Sequence, residues 1–75
     1  MSYIVMESYE KGFRWIDKYN SLEDARLGMG ERFSIEAGRT PEYDEEGWYV
    51  FNDGYIGPWS AYAYGWEWII LEVEL

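Results

Sequence analysis

Cysteine and histidine are both missing from this chain. Without cysteine there is neither a disulfide framework nor a thiolate metal site to hold a small domain together, and without histidine the commonest acid–base and metal-binding side chain is gone. No run of 18 or more apolar residues occurs, so no segment reads as a membrane-spanning helix. The opening MSYIVMESYE carries two glutamates where a secretory leader needs a basic flank and a longer apolar stretch, and a cytoplasmic protein is expected. Positive charge is scarce. Six bases face fifteen acids, a net charge of −9 that would repel nucleic acid and anionic membrane, so neither is an expected partner.

The charge is also unevenly placed. Lys11, Arg14, Lys18, Arg26, Arg32 and Arg39 are all the bases there are, and residues 40 to 75 carry eight acids with nothing to offset them. Net charge far from zero keeps an aromatic-rich surface soluble; it can also steer a protein toward a basic partner.

What the chain does have is apolar and aromatic bulk, 48% hydrophobic and 21% aromatic over 75 residues, enough for one folded domain spanning 1–75. A chain this short buries only about 60% of its unfolded surface, which leaves little core around a deep catalytic pocket. Function is expected at the surface.

Ser2–Tyr9 and Phe13–Tyr19 both alternate as strands do, the first with Tyr3, Val5, Glu7 and Tyr9 on one face, the second with Phe13, Trp15, Asp17 and Tyr19 on one face. Glu10-Lys11-Gly12 between them suits a three-residue hairpin loop with Gly12 at positive φ. Asn20 or Ser21 followed by Glu23 or Asp24 has the pattern of a helix cap, and Leu22, Ala25, Met29 and Phe33 make one apolar stripe. Gly28 and Gly30 each cost about 1 kcal/mol relative to alanine, so this helix needs a sheet to pack on. Gly38 suits its C-terminal cap, and Pro41 prevents continuation.

Residues 38 to 47, GRTPEYDEEG, read as a mobile acidic loop. Trp48–Asn52 is a short aromatic strand, and Asn52-Asp53-Gly54 a turn leading to Tyr55-Ile56. Gly57-Pro58 interrupts the pattern, as a bulge or edge position does, before Ser60–Tyr64 resumes. In the last segment, Trp66 to Leu75, both faces are apolar at the middle, as in an interior strand, with Ile69, Leu71, Val73 and Leu75 expected in the core. The order β-β-α-β-β-β predicts an α+β fold, an antiparallel sheet of about five strands with one helix packed on one face. Ten of the sixteen aromatics follow residue 40, too many for one helix-facing layer, so several are expected at the surface.

Chemistry-bearing patterns are weak. EYDEEG at 42 to 47 lacks the calcium-loop spacing and its distal glutamate. Fifteen acids make coincidental carboxylate pairs inevitable, no nucleophile has a histidine beside it, and neither glycine-rich phosphate fingerprint occurs. No enzyme activity, cofactor or metal is expected. Gly54-Tyr55-Ile56-Gly57-Pro58 resembles a turn of SH3 domains, but Gly57 is extra, the tandem tryptophans are missing and the helix is long, so the proline-peptide groove is not carried over.

The candidate partner-binding set is Glu42, Tyr43, Asp44, Glu45, Glu46, Trp48, Asp53, Tyr55, Trp59, Tyr62 and Tyr64: carboxylates for steering, with rigid aromatics of the kind that dominate interface hot spots. Strand aromatics are also ordinary cross-strand packing pairs. In size, cysteine-free composition, element order and the all-acid stretch from Glu42 to Glu74, the chain resembles the small acidic proteins with which phages and mobile elements block host defence, the anti-CRISPR and anti-restriction inhibitors. That resemblance implies a stoichiometric inhibitor on a basic nucleic-acid-binding groove, with carboxylates standing where phosphates would lie. An immunity protein or antitoxin for a basic toxin would look similar. A carbohydrate-binding module using exposed tryptophan and tyrosine is the alternative from another class, and a homo-oligomer stays open.

Overall fold

A computed structural model describes residues 1–74. The elements are β1 (Ser2–Tyr9), β2 (Arg14–Tyr19), α1 (Leu22–Ala37), β3 (Tyr49–Phe51), β4 (Gly54–Ile56), β5 (Ser60–Ala63) and β6 (Trp66–Val73). The strands form one antiparallel sheet in the order β2-β1-β6-β5-β4-β3, and α1 packs on one side of it. This is the expected α+β architecture with six strands, because Gly57-Pro58 reverses the chain. The Gly57 N–H donates to the Ser60 carbonyl at 2.8 Å, and β4 and β5 pair with Tyr55 opposite Tyr62. Proline has no N–H to give to a ladder, so a turn is the economical place for it.

Local signals set the helix. The Ser21 side chain accepts the Asp24 N–H at 3.1 Å, Glu23 and Asp24 lie in the positive first turn, and Gly38 closes the other end at φ 69°. Ala25, Met29, Phe33 and Ala37 are its buried stripe. Phe33 is the hub of the core, edge-on to Tyr49, Phe51 and Trp68 with ring centres 5.9 to 6.4 Å away. Beneath the helix, Trp68 pairs with Ala61 and Trp66 with Ala63, a large residue beside a small one on each rung. That alternation leaves room for the helix to approach the sheet.

Three local expectations change. The left-handed position in the first hairpin falls on Glu10, at φ 60°, and not on Gly12. The register between β1 and β2 slips after Val5, which faces Asp17 while Met6 faces Trp15, so Ile16 is an inserted residue. A bulge of one residue reverses the alternation beyond it. Trp15 therefore parts from Asp17 and Tyr19, and Arg14 comes opposite Glu7 on the helix side.

The third concerns β6. It is an interior strand between β1 and β5, as expected, but its core residues are Trp68 and Ile70. Leu71 is 42% exposed and Ile69 and Val73 are half-buried on the side away from the helix; Leu75 lies outside the described residues. Hydropathy was equal on the two faces at mid-strand, and only the position of α1 decides which is inner.

Candidate functional site

The helix covers one face of the sheet, and among the described residues no element covers the other. Side chains there stand in rungs that follow from the strand register. Lys18, Ile4 and Leu71 form one, Trp15, Met6, Ile69 and Ser60 the next, and Ser8, Glu67, Tyr62, Tyr55 and Val50 the third. An antiparallel sheet with one wet side normally alternates apolar-in with polar-out. Here the outer positions are apolar too. Trp15 is 58% and Val50 71% exposed, and the charges on the three rungs are Lys18 and Glu67.

The candidate set is divided by this geometry. Tyr55 and Tyr62 are direct cross-strand neighbours on the uncovered face, and Trp48 joins them with its ring 5.8 Å from that of Tyr55. Trp48 also lies flat against Gly57, where any side chain would strike the indole. Trp59 belongs elsewhere. It projects on the helix side, 6.5 Å from Tyr3 and 5.8 Å from the Arg26 guanidinium, whose Nε donates to the Pro58 carbonyl at 2.7 Å. Tyr64 is not a strand residue: with Gly65 it makes a two-residue turn in which both positions have positive φ, at 50° and 88°. Asp53 sits in the β3–β4 turn near it, and the two border a shallow depression of about 500 Å³.

The acidic loop is laced by one of its own acids. Asp44 Oδ1 accepts the N–H of Glu46 at 2.9 Å and of Trp48 at 3.0 Å, while the Asp44 N–H donates to the Trp48 carbonyl at 2.8 Å. Aspartate favours such turns because its short side chain reaches backbone two residues on. Gly47, at φ 87°, completes the turn. Asp44 thus works within the fold, and Glu42, Glu45 and Glu46 are left exposed.

Tyr43, itself 49% exposed, sets its hydroxyl against α1 at Gly30, and the partial loss of water there pushes the phenol upward from its ordinary pKa. Between loop and helix runs an open groove of about 390 Å³ with Glu23, Arg26 and Leu27 on one bank, Tyr43 and Glu46 on the other, and Gly57-Pro58 at its base. Leu27 and Ile35 on the outer side of the helix are 64% and 66% exposed.

Sequence reading missed a buried carboxylate. Glu7, wholly inaccessible, accepts hydrogen bonds from Arg14 at 2.9 Å, Arg32 at 2.8 Å and the Trp68 indole at 2.8 Å. Burial pushes its pKa up, but the bonds from Arg14, Trp68 and Arg32, with the charge of Arg32, outweigh that and hold the carboxyl below its ordinary value. No buried side-chain polar atom is left without a partner among the described residues. This is a closed structural network and offers no free group to a ligand. Compared with known proteins, the chain matches no family model, no curated protein and no solved structure.

Proposed function

We propose that this protein is a non-catalytic binding protein that meets a basic protein through the edge where the acidic loop lies along α1. The supporting observation is the turn made by Asp44, which fixes the backbone that carries Glu45 and Glu46, with exposed Glu42 just before it, beside the groove that Leu27 and Tyr43 line with Arg26. Carboxylates on a fixed backbone beside such a groove combine the two things an interface needs: long-range attraction and a surface that gains from losing water. The partner class this favours is a nucleic-acid-binding protein whose basic groove the carboxylates occupy, so the proposed action is stoichiometric inhibition of the anti-CRISPR or anti-restriction kind.

The test is capture of partners by the tagged chain from cells carrying candidate defence systems, repeated with Glu42, Glu45 and Glu46 changed together to glutamine and Asp44 kept. The expected result is a basic protein held by the parent and lost by the triple variant. Because electrostatic guidance contributes about one to three orders of magnitude to association at low salt, the variant should bind more slowly and with a flatter salt dependence. Recovery of a polysaccharide, or a partner that binds both proteins with equal rates and salt slopes, would overturn the proposal.

A further inference from the structure

The uncovered sheet face is a separate surface from the acidic edge, and its chemistry points to a different occupant. Lys18 and Glu67 balance one another on its rungs, while the chain as a whole carries −9, so the whole excess of negative charge lies off this face. A basic protein would find no net charge to pair with here. An acidic partner would find no attraction either. A second copy fits: an isologous contact sets apolar rungs on apolar rungs and forms every cross pair twice, so Lys18 of each copy has Glu67 of the other within the same face to offset it. We infer that the chain forms a two-fold dimer by packing the open faces of two sheets together, helices outward.

Area and charge both allow this. The molecule is a slab measuring 37 × 32 × 15 Å, and six strands about 4.8 Å apart give a broad side on the order of 500 Å² before the relief of the side chains is added. A standard interface buries about 800 Å² on each partner, so the contact belongs at the smaller end of specific assemblies, with a Kd on the order of micromolar. The acidic loops stay on the outer layers. With sheets about 10 Å apart and each helix layer about 10 Å farther out, the two loop regions lie roughly 30 Å apart, several Debye lengths at physiological salt and about one at 0.01 M.

A distinctive salt response follows. Dimerisation through an apolar face between two like-charged molecules strengthens as salt is added, whereas binding to a basic partner through the acidic edge weakens. The same variable therefore separates failure of this inference from failure of the proposed function.

The experiment is sedimentation velocity or light scattering on the full chain alone at about 0.01, 0.15 and 0.5 M salt. The expected result is a mass near twice 9.0 kDa, with the dimer fraction rising with salt. Trp15→Glu and Leu71→Glu place a charge on the face at positions already 58% and 42% exposed, and each should weaken the dimer by at least about tenfold. Ile35→Glu, at a 66% exposed position on the outer side of the helix, should leave it unchanged. Thermal melting checks that each variant is folded, and Val50→Lys, at a 71% exposed position of β3, replaces one that is not. A monomer at every salt concentration, a dimer that resists the open-face variants, or one that weakens with salt would overturn the inference.

Discussion

Replacing Glu7 with glutamine tests the core of the fold through the buried ion network around that carboxylate. Glutamine keeps the volume and, with its oxygen in the place of Oε1, can still accept from Arg32 and the Trp68 indole, but its amide nitrogen then takes the place of Oε2 and faces the Arg14 guanidinium, 2.9 Å from the native carboxylate. The variant loses the charge and sets the amide donor against that of Arg14. Removing one member of a buried ion pair costs about 3 to 5 kcal/mol; here Arg14 is 70% exposed and recovers water, so about 3 kcal/mol is expected. At about 4 to 8 °C per kcal/mol for a domain of this size, the melting temperature at pH 7 should fall by roughly 12 to 24 °C. The pH dependence is the sharper test. Glu7 titrates lower in the folded chain than in the unfolded one, so its contribution is fully present above its ordinary value of 4.5 and is lost as pH falls through the depressed folded value. Melting followed by circular dichroism from about pH 7 to pH 2 should show the gap between parent and variant narrowing only in acid, while the other carboxylates cancel in the comparison. A gap of a degree or two at pH 7, or one that is constant with pH, would refute the assignment.

The inner and outer faces of β6 should respond differently to truncation of their side chains. Ile70→Ala, in the core, should lose about 2 to 5 kcal/mol in denaturant unfolding, and Leu71→Ala well under half of that at monomer concentrations. Gly54→Ala should be severely destabilising, because the new methyl would strike the backbone of Tyr62 on the neighbouring strand, which cannot step aside without breaking the ladder. Gly57→Ala should push the Trp48 ring off its seat, read as a change in tryptophan emission accompanied by only moderate loss of stability. Ser21→Ala should cost about 1 kcal/mol, the worth of the helix cap, without altering the sheet.

Wherever the cause is local, the sequence by itself determined the structure. The helix and both its ends follow from Ser21, the Ala25-Met29-Phe33 stripe and Gly38, because capping and helical periodicity act within a few residues. So did the strand order along the chain, the interior place of β6 and the lack of a regular element through the acidic loop. What only the tertiary structure decided turns on small differences in register or partnership. One inserted residue at Ile16 carries Trp15 to one face and Arg14 to the other, and no composition marks a bulge in advance. Glu7 is buried because Arg14, Arg32 and Trp68 arrive from three different elements, the farthest 61 residues away.

Charge shows the same division. All six bases precede residue 40 and ten of the sixteen aromatics follow it, yet folding lays Arg39 over Phe51 at 4.1 Å and Arg26 over Trp59. The candidate set that looked contiguous from Glu42 to Tyr64 is likewise split among a laced loop, an open sheet face, a helix-side edge and a turn. Neighbours on a strand point to opposite sides of a sheet, so a stretch of like residues becomes one surface only when register and layer order bring it there. The single helix settled which side of an evenly apolar strand became the core, and left the other side bare.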